Sequence, residues 1–197
     1  MSGKCAGESD LMKKREWLNL PNGLTGLRIA LALALLTVYF TSPPQRQLPS
    51  LCLLLAAGLT DCLDGFFARR LGQVTALGKV LDPIADKLMS AAALLCLTLS
   101  GVLPPFVLPV ILARELYMAA GAAVCLKHRL EVSADIYGKL ATALFYPAVL
   151  TAWPWHGVEA LRSAGRVLIY ISLSLSIFAA AHYTLDSVKK WRARKAR

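Results

Sequence analysis

The chain has 197 residues, 56% of them hydrophobic and only 17% charged, with a mean hydropathy of +0.53. A soluble domain of this length does not carry so much apolar sequence, so a lipid bilayer is the expected solvent. The net charge of +10 admits nucleic acid, anionic lipid or membrane topology as its cause, and its placement along the chain decides among them.

The first predicted element is short. Residues 9–19 form an interfacial helix in this reading, with Leu11, Trp17 and Leu18 toward lipid and Lys13, Lys14 and Arg15 in water. The apolar run that follows this basic patch is long and no convincing small-x-small cleavage site follows it, so it is read as a retained first span and not as a signal peptide. Apolar stretches near the length needed to cross a bilayer then recur six times, at 24–40, 48–68, 83–100, 104–126, 140–154 and 165–185. The fifth is short and interrupted by Pro147. Breaks fall at Ser42-Pro43-Pro44, Gly72, Gly101 with Pro104-Pro105, and Trp153-Pro154-Trp155, where turn chemistry places them.

The basic residues orient these spans. With the N-terminus inside, ten fall in cytoplasmic segments: Lys4, Lys13, Lys14, Arg15, Arg69, Arg70, Lys79, Lys127, Arg129 and Lys139. Six more follow at the C-terminal end from Lys189 to Arg197, against only Arg46, Arg162 and Arg166 on the other side. That bias predicts an all-α integral membrane protein with six transmembrane helices, a short N-terminal interfacial helix and both termini cytoplasmic. It gives no case for nucleic acid. The expected organisation is an interfacial segment at 1–20, a six-helix domain at 21–186, and a basic tail at 187–197 able to hold anionic lipid. The short N-terminus, without a long Arg- and Ser-rich leader, favours a bacterial inner membrane over a mitochondrial one.

Cysteine and histidine contribute little chemistry. Cys52, Cys62, Cys96 and Cys125 lie in apolar stretches and, with Cys5, show neither metal-ligand nor disulfide spacing, so they read as small hydrophobes. His128, His156 and His182 each lie near the end of an apolar segment.

The informative stretch runs from Asp61 to Asp86, DCLDGFFARRLGQVTALGKVLDPIAD. Two aspartates close the second span and two open the third, and carboxylates at such places default to a functional role. Asp61 and Asp64 are three apart and share a helix face with Gly65 and Ala68; Gly78, Asp82 and Asp86 are successively four apart and form a second stripe. A turn of about ten residues between the helices lets the stripes face each other. Four carboxylates in one place repel unless a proton or a cation neutralises them. Two divalent cations cancel a formal charge of −4, and all-oxygen ligation points to Mg²⁺ or Mn²⁺. Gly65, Ala68 and Gly78 leave room beside the metals, and with Arg69 nearby the arrangement suits a diphosphate better than a bare ion. The alternative is a salt-bridge network with Arg69, Arg70, Lys79 and Lys87, although Arg70 and Lys87 sit on other faces.

The spacing Asp61-x2-Asp64-Gly65-x2-Ala68-Arg69-x8-Gly78-x3-Asp82-x3-Asp86 resembles the signature of the CDP-alcohol phosphatidyltransferase family at all eight defining positions. Pro21-Asn22-Gly23-Leu24-Thr25-x2-Arg28 opening the first span, Ala113-Arg114-Glu115 in the fourth, and Gly138-Lys139-x2-Thr142 opening the fifth are similar to the family as well. The resemblance implies a homodimer with a polar cavity open to the cytoplasm. It implies that Asp61, Asp64, Asp82 and Asp86 bind two metals, that Asp86 is also the base, and that Gly65, Ala68, Arg69 and Gly78 surround the CDP part of the donor. Asn22, Thr25 and Arg28 are further candidates for the nucleotide side, and Arg114 and Lys139 for the acceptor. Asn22 serves equally as a helix cap, Arg114 equally as a partner for a cluster aspartate, and Lys139 as an ordinary snorkelling lysine.

Within the family, Leu81-Asp82-Pro83-Ile84-Ala85-Asp86-Lys87 and Ala113-Arg114-Glu115 look most like members that join CDP-diacylglycerol to glycerol 3-phosphate. Such members commonly carry an arginine two turns beyond the Arg-Glu pair, where this chain has Ala122. The stretch from Arg114 to Arg129 resembles the cardiolipin synthases, whose acceptor is phosphatidylglycerol, about as well. Inositol phosphate and serine remain as other acceptors. Direct displacement is expected over a covalent intermediate. Membrane prenyltransferases also use two aspartate-rich motifs, but far apart in sequence. A cation transporter would spread its carboxylates over several depths, and here they gather near one boundary.

Overall fold

A computed structural model of the chain describes residues 20–41, 47–71, 76–127, 136–154 and 158–195; the side chains at 20–22, 62, 64–71, 76–80, 126, 194 and 195 lie outside that description. The expected interfacial helix at 9–19 also falls outside it. The described residues form six α-helices and no strand: α1 (Leu20–Thr41), α2 (Gln47–Leu71), α3 (Ala76–Leu99), α4 (Val107–Lys127), α5 (Ile136–Ala152) and α6 (Glu159–Lys195). They divide into two compact units, residues 1–96 and 97–197.

In the first unit α1 packs along α2. The buried face of α1 carries Thr25, Arg28, Ala32, Leu35 and Tyr39, alternating three and four apart, which is the spacing that keeps one side of a helix against a neighbour. The described buried side chains of α2 are Ser50, Leu51, Leu54 and Ala57, and those of α3 include Ala85, Met89, Ala92, Ala93 and Cys96. The opposite faces expose Leu27, Leu33, Phe40, Leu48, Leu55, Leu59 and Leu63. Water would not tolerate that much contiguous apolar surface, whereas lipid tails match it.

The second unit is built on α6. Its contact with α5 is close because small residues line it: Ala141, Ala148 and Ala152 are buried on α5, Ala179 and Ala180 on α6. A Cβ placed on Gly165 of α6 would lie 2.1 Å from the Ala152 backbone nitrogen. The buried Ser172 hydroxyl donates across the same seam to the Ala141 carbonyl at 2.8 Å, a polar tie suited to a lipid environment. Helix α4 meets α6 through Tyr117 and Thr184, whose hydroxyls are 2.7 Å apart, and through the Cys125 thiol, 3.6 Å from the Ser187 hydroxyl. At the end of α3, Gly101 takes φ 70°, with Gly101 N–H bonded to Thr98 O and Val102 N–H to Leu97 O, each at 3.0 Å. This is a Schellman cap, sealed by the buried Leu97 and Val102 side chains.

Three of the described helices hold stretches long and apolar enough to cross a membrane: Gly23–Thr41, Val107–Cys125 and Glu159–Ala193, with a shorter apolar segment at Gln47–Asp61. Helix α3 falls short because Lys79, Asp82, Asp86 and Lys87 interrupt its first half, and α5 because it has only 17 residues.

Three local expectations are corrected. The connection between the second and third helices is not a ten-residue turn, since α2 runs to Leu71 and α3 begins at Ala76. Pro147 does not interrupt its helix, and α5 passes through it as α3 passes through Pro83. Most of the expected tail at 187–197 continues α6, whose 37 residues span about 55 Å, well beyond the roughly 30 Å of hydrocarbon. One physical reason covers the first and third: a charged residue ends an apolar run without ending a helix.

Candidate functional site

The carboxylates are positioned by one turn of α1. Thr25 and Arg28, three apart, present their side chains on the buried face, with Thr25 fully buried and Arg28 at 1% exposure. Arg28 Nη2 lies 3.0 Å from Asp61 Oδ1 of α2, and Arg28 Nη1 lies 2.6 Å from Asp86 Oδ1 of α3. The Thr25 hydroxyl donates to Asp82 Oδ1, one turn before Asp86 on α3. Thus one polar turn of the first helix binds aspartates from the two following helices. A buried guanidinium costs several kcal/mol unless it is paired and hydrogen-bonded, and here two carboxylates supply the pairing. Asp61 and Asp86 remain 44% and 46% exposed, so both can also be approached from the side away from Arg28.

The sequence marks Thr25 and Arg28 as candidates for the nucleotide side; their described contacts, to Asp82 and to Asp61 and Asp86, add partners that the sequence reading does not name. The signal was present: both lie on the stripe continued by Ala32, Leu35 and Tyr39, and an arginine within an apolar span needs a carboxylate partner. The basic residues weighed as neutralisers, Arg69, Arg70, Lys79 and Lys87, did not include it.

The backbones of Asp64, Gly65, Ala68 and Arg69 are helical in α2, and that of Gly78 in α3, as the spacing argument requires. Their side chains, and that of Asn22, lie outside the description. Among the described residues no three Asp, Glu, His or Cys groups close around a single ion. The chemistry of the oxygens nonetheless fits a hard divalent cation, because those described are carboxylate oxygens of Asp61, Asp82 and Asp86, with a threonine hydroxyl beside them.

Arg114 and Lys139 belong to the second unit. Arg114 ion-pairs with Glu115, its sequence neighbour, and is 19% exposed. The sequence leaves an acceptor phosphate and a cluster aspartate as equal alternatives for its partner, and sets Glu115 aside because adjacent residues diverge around a helix. Two long side chains can bend toward each other and overcome that divergence. Lys139 is exposed on α5.

A chain whose described residues are helical, with membrane-length apolar helices and a carboxylate cluster within two of its helices, is a membrane-embedded type of protein, and sequence comparison narrows the class. The profile of the CDP-alcohol phosphatidyltransferase family matches residues 18–178, which include the whole aspartate motif, and the chain belongs to that family. It is 35% identical over 176 residues to the CDP-diacylglycerol–glycerol-3-phosphate 3-phosphatidyltransferase of Aquifex aeolicus, covering 87% of this chain and 97% of that one. The protein of the same name from Rickettsia bellii is 34% identical over 85% of this chain and 90% of its own length. A cardiolipin synthase (CMP-forming) of Oryza sativa is 32% identical over 89% of this chain and 58% of its own.

Proposed function

We propose that this protein transfers the phosphatidyl group of CDP-diacylglycerol to glycerol 3-phosphate, releasing CMP, as a homodimer in the bacterial inner membrane. Both termini and the site face the cytoplasm, and the six helices are six spans, with the charged start of α3 at the membrane boundary. One observation carries this reading: the eight-position motif lies in two helices, and a single turn of α1 contacts three of its aspartates, Asp61, Asp82 and Asp86.

Asp61, Asp64, Asp82 and Asp86 are the residues to hold two Mg²⁺ or Mn²⁺ ions, which when bound neutralise the donor diphosphate and the departing CMP. Gly65, Ala68 and Gly78 leave space along the helices for the cytidine diphosphate, with Arg69 and Asn22 as its polar contacts. Asp86 accepts the proton of the acceptor hydroxyl, whose oxygen attacks the lipid-side phosphorus while the bond to the CMP phosphate oxygen breaks. Its 46% exposure gives the acceptor access to it. Arg114 and Lys139 supply positive charge for the acceptor phosphate.

The test is CMP release from CDP-diacylglycerol by detergent-purified protein with Mg²⁺, using glycerol 3-phosphate or phosphatidylglycerol as acceptor. Release that requires glycerol 3-phosphate is expected. Release only with phosphatidylglycerol would make the chain a cardiolipin synthase, the activity named for the Oryza relative.

A further inference from the structure

Arg28 is the only buried charged residue among those described. Its two terminal nitrogens each reach a carboxylate from a different helix, Asp61 on α2 and Asp86 on α3. A planar fork suits this, because it presents its terminal nitrogens in fixed directions, one to each carboxylate. At 1% exposure, against 44% and 46% for its partners, the guanidinium lies behind the carboxylates and the partners lie in front. A ligand arriving from solvent meets the aspartates first.

We propose that Arg28 is a positioning residue and not a donor contact: its guanidinium is a built-in counterion that holds Asp61 and Asp86 in place and competes with divalent cations for them, so that it sets the metal affinity of the site. This rests on the metal-site reading under Proposed function. The physical argument is charge competition. Any cation drawn to Asp61 and Asp86 shares them with a fixed positive charge that burial prevents from leaving, and in partly desolvated surroundings a unit charge a few ångströms away strongly opposes a divalent ion. The same charge relieves the repulsion among Asp61, Asp82 and Asp86 when no cation is bound, and so keeps the site assembled between turnovers.

The experiment measures Mn²⁺ binding by electron paramagnetic resonance on detergent-purified wild type, Arg28→Gln, Arg28→Lys and Asp86→Asn, with thermal unfolding of each in EDTA and in Mn²⁺. Arg28→Gln is expected to bind Mn²⁺ about tenfold tighter or more, to unfold at lower temperature in EDTA, and to regain more stability from Mn²⁺ than wild type does. Arg28→Lys, which keeps the charge without the fork, is expected to stay near the wild-type affinity. A role in packing alone would loosen Mn²⁺ binding, so affinity in Arg28→Gln equal to or weaker than wild type overturns the proposal. Recovery of both Arg28 variants only as aggregate, even with Mn²⁺ present throughout, overturns it too, because the ion should replace the missing charge. Wild-type Mn²⁺ binding that survives Asp86→Asn would instead take Asp86 out of the metal-site reading, and this inference with it.

Discussion

Replacing Gly165 with alanine probes the α5–α6 seam directly. The added Cβ would lie 2.1 Å from Ala152 N, 2.5 Å from Ala152 Cα and 2.6 Å from the Thr151 carbonyl carbon. The shortest of these is about 1.4 Å inside the roughly 3.5 Å at which non-bonded heavy atoms rest. All three are backbone atoms of a neighbouring segment, so no rotamer change relieves the clash and the two elements must separate. Overpacking of this kind costs about 2–3 kcal/mol, and separation also lengthens the nearby Ser172–Ala141 hydrogen bond. For a chain of this size the unfolding midpoint should fall by about 4–12 °C. Gly121→Ala is the matched control, because its Cβ would meet only the Tyr183 ring edge, at 3.7 Å. That variant should unfold at or slightly above the wild-type temperature, since alanine favours a helix over glycine by about 1 kcal/mol. Thermal unfolding of the two in the same detergent decides the matter. Equal midpoints for Gly165→Ala and wild type would refute the close-packed seam.

Three predictions concern the site. Asp86→Asn should leave the protein folded and reduce CMP release by about 100-fold or more, measured by CMP formation from CDP-diacylglycerol, because the amide cannot accept the acceptor proton. Thr25→Val keeps the shape of a side chain that is fully buried but removes the hydroxyl bonded to Asp82; it should lower stability by about 1 kcal/mol and raise the Mg²⁺ concentration needed for half-maximal turnover. Chelation with EDTA should abolish turnover, and added Mg²⁺ or Mn²⁺ should restore it while Ca²⁺ does so poorly, which a metal titration of the assay reads directly.

The helices were legible in the sequence because apolar runs near bilayer length are hard to mistake, and the described helices overlap all six. Their ends were not, because hydropathy marks where a chain meets hydrocarbon and not where backbone hydrogen bonding stops. Lys79, Lys189 and Lys190 all lie within helices for that reason. The aspartate stripes could be read because Asp61 and Asp64, and Asp82 and Asp86, are local in sequence. The bond from Arg28 to Asp86 spans 58 residues, and no periodicity announces such a contact. The buried stripe of α1 indicates only that Arg28 faces inward, leaving its partners open. Gly165 is similar: nothing local distinguishes it from Gly121, and only the approach of Ala152 makes one indispensable and the other replaceable.

In the proposed reaction a phosphatidyl group moves onto glycerol 3-phosphate at the aspartate cluster. Radiolabelled glycerol 3-phosphate, incubated with CDP-diacylglycerol, Mg²⁺ and the purified protein, tests it most directly. Label should pass into the chloroform-extractable lipid in step with CMP release, and neither should occur with Asp86→Asn. Label that stays in the aqueous phase while wild-type protein releases CMP with another alcohol would contradict the assignment of the acceptor. Equal transfer by wild type and Asp86→Asn would contradict the assignment of the site.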